Sequence, residues 1–371
     1  MGTVKLPFYA RLALTLLAVV LIVFIMMQGS NVFIPLTFAL LMSILLFPLN
    51  RFFRNKLRVG KALSALLSVI ILVGGLVGFF YFLTIQIVNF SHDFPELQKK
   101  FHDIFQNFQH WLSSEYHINS KQQMDYLNKS GSGIMSTAAH SVGNAFLSFA
   151  GILLWLVFIF IYTFFMLFHR QLLMKFVTHL FSVQHREKVR EVISETKGMI
   201  QSYVSGLLLE MLILSIVNCT IFLIMGIQYA LLLGVLAAVL NVIPYLGIYS
   251  ATAFAMLVTF ANSGGSQALE VGAVLIVVHL LDSNILMPRV VGARVKMNPF
   301  ITIIAVVVGE FIWGIPGMFL FVPLVGIMKL ICDRVEGMEA WGILIGVEDK
   351  EVPKRKVNLS APKPGTEQVR D

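Results

Sequence analysis

The sequence predicts an all-α, polytopic helical membrane protein of about eight membrane segments, and three observations carry that prediction. Hydrophobic residues make up 57% of the 371, against roughly half in a soluble domain. Charged residues make up only 13%, too few to cover a soluble surface of this size. The apolar residues also fall in long runs without charge: none occurs over 12–50, 62–92 or 130–168. The same composition excludes a disordered chain, a disulfide scaffold (there are only two cysteines) and a soluble nucleic-acid binder.

A helix needs about 20 apolar residues to cross a bilayer, and the runs supply segments near 12–27, 32–49, 62–88, 145–168, 203–226, 229–261, 268–287 and 300–331. The first follows Lys5 and Arg11 as a signal peptide would, but Gln28-Gly29-Ser30-Asn31 offers no small-residue cleavage pattern and a second apolar run follows at once. It reads as an uncleaved span. The sixth and eighth segments are too long for one pass and carry Pro and Gly near their middles, so each is expected to be a helical hairpin, the alternative being an ordinary kinked helix.

Basic residues at the span ends set the orientation. Five lie between Arg51 and Lys61 with no acid, six Lys/Arg face three Glu over 169–197, and Arg289, Arg294 and Lys296 follow the seventh segment. Placing these clusters inside puts both termini in the cytoplasm. The net charge of +8 is then positive-inside signal and attraction to anionic lipid, with no nucleic acid required.

The expected organisation is N-terminal transmembrane helices over 1–88, an extracytoplasmic amphipathic segment over 89–144 and a transmembrane helix over 145–168. A cytoplasmic amphipathic linker over 169–197, a core over 198–332 and a cytoplasmic tail over 333–371 complete it. In the extracytoplasmic segment Phe94, Leu97, Phe101, Ile104, Phe108 and Trp111 alternate by three and four, a helical stripe that must bury itself against protein or membrane. Its histidines read as solvated helix residues, not metal ligands. In the linker, Leu172, Leu173, Phe176, Val177 and Leu180 form an apolar face expected inward, and Glu191 and Glu195 read as a solvated ridge.

The core contains a repeat. Glu210 and Asp282 lie 72 positions apart, as do Pro244 and Pro316, and each acid precedes its Ile-Pro by 34 residues. Each unit is an apolar helix with an acid, then a long segment interrupted at Ile-Pro. If the first hairpin enters from outside, the second enters from the cytoplasm, giving the inverted-repeat plan of many secondary transporters. Helix breaks at membrane depth free backbone polar groups, which only protein or a wet cavity can satisfy.

An acid at the centre of a span costs about 2.5–3.5 kcal/mol on insertion scales. Glu210, Asp282 and Glu310 are therefore expected to face a cavity or partner, where taking up and releasing a proton is the chemistry open to them. His279 lies one turn before Asp282 on the same helical face, Asn284 follows, and Arg289 is a candidate counter-ion for Asp282 or Glu310. Glu270 falls at a span end, where a solvated carboxylate needs no role.

Three blocks resemble the autoinducer-2 exporter family of bacterial membrane proteins. They are Gly234-Val-Leu-Ala-Ala-Val-Leu-Asn241-Val-Ile-Pro244-Tyr-Leu-Gly247, then Asp282-Ser-Asn284-Ile-Leu-Met-Pro288-Arg289-Val-Val-Gly292 with Val295-Lys-Met-Asn-Pro299, and Gly309-Glu-Phe-Ile-Trp-Gly314-Ile-Pro316-Gly317-Met-Phe-Leu-Phe-Val-Pro323. The resemblance implies a multi-pass transporter of the bacterial inner membrane and a homo-oligomer. Members look like exporters of autoinducer-2 or are proposed sodium(lithium)/proton antiporters. It further implies that Asn241, Pro244, Gly247, Asn284, Pro288, Gly314, Pro316 and Gly317 shape the broken-helix core; Glu210 and Glu310 rest on the membrane argument alone.

The expected function is secondary transport of a small polar solute, coupled to a proton or sodium gradient, with no cofactor. A channel is the neighbouring alternative. An enzyme is not expected: the second half has no G-x-S-x-G, and H-E-x-x-H and the P-loop pattern are absent.

Overall fold

A computed structural model describes residues 7–116, 154–244, 246–290 and 297–347. Every regular element among them is helical. Six helices are long and apolar enough to cross a membrane, or up to eight if each of two bent pairs counts as one span. The protein is a polytopic all-α membrane protein, as its composition requires.

The N-terminal part begins with α1 (Phe8–Gln28), followed by α2 (Ser30–Leu45) and α3 (Phe47–Lys56). The expected span over 32–49 is bent by 47° between α2 and α3. Pro48 stands in the first turn of α3, where it has no N–H to carry the hydrogen bonding of α2 through the junction. None of the residues of α1 is buried; it packs against the rest of the described chain only near its C-terminal end, through Val23 and Met26, and most of its apolar surface is exposed.

α4 (Lys61–Tyr116) is one helix of 56 residues, about 84 Å at 1.5 Å per residue. That is nearly three hydrocarbon thicknesses, so the helix runs on from the 62–88 span into the segment expected outside the membrane, without a break at 88/89. The side chains of the Phe94–Trp111 stripe lie outside the described residues, as do 117–153 and the tail from 348.

α5 (Leu154–Phe168) and α6 (Arg170–His179) meet at a 74° bend. The apolar face of α6 was expected inward. Instead Leu172, Leu173, Phe176 and Leu180 are exposed, and only Val177 is half-buried. The bend sets α6 at an angle to the bundle, and among the described residues it packs chiefly against α7.

The core begins with α7 (Arg186–Ile224), which fuses the end of the 169–197 linker and the Glu210 span into one rod. Its N-terminal end is not simply solvated. Arg334 pairs with Glu191 at 3.0 Å and with Glu195 at 2.5 Å, tying α7 to the chain after α13.

The two predicted hairpins both form. α8 (Ala230–Leu240) turns at Asn241–Pro244 into α9 (Leu246–Ser263). α12 (Pro299–Trp313) turns at Gly314 into α13 (Ile315–Cys332). Between the hairpins runs α10 (Gly265–Leu281), ending in a π-helical turn over Asp282–Leu286 and the short α11 (Met287–Val290). α14 (Glu339–Ile345) closes on α13. At about 16 Å, the 11-residue α8 is only about half as long as the hydrocarbon layer is thick.

Candidate functional site

α7 and α10 each bury one stripe. On α7 it is Glu210, Leu214, Asn218 and Phe222, four residues apart. On α10 it is Val271, Leu275 and Val278, and it ends at Asp282 on the following π turn. Helical periodicity therefore aims each acid where its helix is most enclosed, leaving Glu210 6% and Asp282 4% exposed.

The first hairpin turn joins the two. Asn241, capping α8, donates from Nδ2 to Glu210 Oε1 at 3.4 Å and to Asp282 Oδ2 at 3.1 Å. The acids that sit 72 positions apart thus share one amide, supplied by the predicted helix break.

Three further polar atoms gather there without a partner among the described residues: Asp282 Oδ1, Asn218 Oδ1 and His279 Nδ1. Their residues and Asn241 line a cavity of about 10 Å³, on the order of one water molecule. Glu210 Oε2 is also buried and unpaired.

Close backbone approach holds the turn in place. A Cβ on Gly247 would lie 1.7 Å from the Leu240 carbonyl oxygen, so only glycine fits where α9 leaves α8. In the second hairpin a Cβ on Gly317 would lie 1.9 Å from the Gly309 carbonyl oxygen. Gly314 turns that chain at φ 63° and ψ −146°, a conformation open essentially to glycine, and Pro316 occupies the first turn of α13, where a missing N–H costs nothing. Pro244 lies in the first turn itself, while the side chain of Pro288 on α11 is outside the described residues.

Other predicted residues stand apart. Glu310 was expected to face a cavity or partner within the membrane, but within this chain it is exposed. α12 meets α13 through Gly309, and one residue further turns the side chain about 100° around the helix. Arg289 is exposed on α11 and makes no ion pair with Asp282 or Glu310 among the described residues. Asn284 is exposed, and its amide donates back to Leu280 O at 2.7 Å. His279 does join the site, through the cavity it lines with Asp282.

The sequence reading missed Asn218, which is 3% exposed. Its signal was an amide two turns after Glu210 in an otherwise apolar run. It also missed the π turn at Asp282, a distortion often found at functional sites. At the position 72 residues after Asn241 stands Trp313, whose Nε1 donates to Met26 O at 2.9 Å. The second unit therefore tethers α1 where the first reaches the acids.

The profile of the AI-2E family transporter matches residues 14–337. YrrI of Bacillus subtilis, named for transport, is 26% identical over 318 residues, covering 81% of this chain and 86% of its own. YueF of the same organism, also named for transport, is 25% identical over 85% of this chain and 90% of its own. TqsA of Escherichia coli, named as an AI-2 transport protein, is 28% identical over 34% of this chain and 37% of its own.

Proposed function

Because the chain belongs to the AI-2E transporter family, we propose that it is a secondary exporter of a small polar solute, of the autoinducer-2 class, driven by an ion gradient through the Glu210–Asn241–Asp282 site. The observation that carries this reading is the single Asn241 amide bridging two buried carboxyl groups at a helix break. Two ionised carboxylates so close and so enclosed repel each other strongly, and one proton shared between them removes the repulsion. Release of that proton leaves a charged pair that the protein must rehydrate or re-pair. A change of access at the break between α8 and α9 supplies that step.

The inverted units suit alternating access, with the first hairpin entered from outside and the second from the cytoplasm. Positive-inside placement puts both termini in the cytoplasm of a bacterial inner-membrane protein. The exposed apolar residues of α1 from Phe8 to Ile22 support packing against further copies of the chain. The name of TqsA is the support for autoinducer-2 as the solute.

A second reading, sodium(lithium)/proton antiport, is favoured by the cavity itself. Its small volume and unpaired Asn218 and Asp282 oxygens suit a hard cation that takes oxygen ligands.

The test uses inside-out vesicles holding an inward-acid pH gradient. Accumulation of autoinducer-2 that needs the protein and is lost with an uncoupler supports the exporter. Collapse of the gradient on adding sodium or lithium, without furanone uptake, supports the antiporter. Neither response, with protein present in the vesicles, refutes both.

A further inference from the structure

We propose that the groove between α2, α6, α7 and α13 binds an anionic phospholipid of the cytoplasmic leaflet, its acyl chain in the groove and its phosphate on Arg170 and Lys197. The groove has a volume of about 880 Å³ and is walled by Leu40 and Ile44 of α2, Leu173 and Val177 of α6, Ile193 of α7 and Ile327 of α13. This apolar volume is ample for a lipid chain.

The charges at the groove fall into two groups. On one side they are neutralised: Lys188 pairs with Glu336, and Arg334 with Glu191 and Glu195. On the other, Arg170 and Lys197 flank the Phe47 ring at 4.8 and 3.0 Å from its centroid. Arg51 and Arg54 lie close enough to repel Arg170, and Arg51 to repel Lys197. None of these four cations has a carboxylate partner among the described residues, and Arg170 Nη1 is buried without a hydrogen-bond acceptor. Cations held together this way call for an anion from outside the chain.

Two features select a lipid. Leu40, Ile44 and Ile327 belong to the apolar stretches of α2 and α13, so the groove opens at bilayer depth. α6, bent 74° from α5, leaves Leu172, Phe176 and Leu180 exposed beside Arg170 and Lys175, the pattern of a helix lying in the membrane interface. Anionic headgroups are the phosphate source on that face.

The test is native mass spectrometry of the purified full chain in detergent, with phosphatidylglycerol, phosphatidylcholine or inorganic phosphate added. The expected result is at least fivefold more bound phosphatidylglycerol than phosphatidylcholine. Arg170→Gln with Lys197→Gln removes the preference, and Val177→Trp, which blocks the groove and keeps the cations, cuts bound phosphatidylglycerol to a similar extent. Equal retention of the two lipids, or a preference that survives Val177→Trp, overturns the proposal. So does competition by inorganic phosphate alone, which marks a soluble-anion site, or a lipid-independent dimer lost in Val177→Trp, which assigns the groove to a second copy. Should the double variant fail to fold, Val177→Trp decides alone.

Discussion

Glu210 and Asp282 are held by the same amide: Asn241 Nδ2 lies 3.4 Å from one carboxylate and 3.1 Å from the other. The amide has two N–H groups, one for each acid, and each acid keeps a second oxygen buried and unpaired. On the proposed coupling role such a site takes one more proton or cation, and its expected behaviour on substitution follows from that count.

Asp282→Asn and Glu210→Gln each keep the shape and remove a charge. Each is expected to fold normally, with an unfolding temperature equal to or above that of the parent, and to abolish coupled transport in vesicles. On the proposal that both act through one shared proton, the double variant is expected to be no worse than either single one. Full transport by Asp282→Asn sinks the coupling role.

Asn241→Ala removes the shared donor and leaves two acids facing each other. Loss of a hydrogen bond to a buried charged group costs about 1–3 kcal/mol. The expected outcome is a lowered unfolding temperature in detergent together with at least tenfold slower transport. Combining it with Asp282→Asn should restore part of the stability, since the second amide relieves the repulsion.

Gly247→Ala places a methyl group 1.7 Å from the Leu240 carbonyl oxygen, backbone that cannot swing aside. A destabilisation above about 2 kcal/mol is expected, read as lost folded yield and a lower unfolding temperature. Gly60→Ala, where nothing lies within 4 Å, serves as the control and should be silent.

Glu310→Gln tests the separation of the third acid from the pair. With its side chain exposed in this chain, the substitution is expected to leave transport within twofold of the parent. A loss as deep as that of Asp282→Asn would return Glu310 to the coupling pathway.

Arg334→Ala cuts the tie between the N-terminal end of α7 and the chain after α13. These pairs are partly solvated, so the expected change in stability is below about 1 kcal/mol. If the tie holds one access state, the transport rate changes while the unfolding temperature does not.

Much of this was legible in the chain, and the reason is locality. Charge-free runs long enough for a bilayer locate the spans, Pro and Gly locate the two breaks, and equal offsets of 72 residues pair Glu210 with Asp282 and Pro244 with Pro316. All these signals depend on neighbours within a few turns or on a count along the sequence. Where an outcome depended on how far a helix leaned from its neighbours, periodicity misled: the apolar face of α6 is exposed because the 74° bend removes its packing partner. Arg289 failed as a counter-ion for the same kind of reason, since the π turn at Asp282 and the short α11 leave it on the outside.

By itself, then, the sequence determined the membrane class, the broken hairpins and the three costly acids, because hydropathy and helix breaking are properties of short segments. Only the tertiary structure decided that two of those acids meet, that Asn241 is their common donor and that Asn218 joins them. That decision rests on the crossing of α7 with α10 and on a half-length α8 whose turn Gly247 holds against Leu240, distances set by packing between residues far apart in the chain.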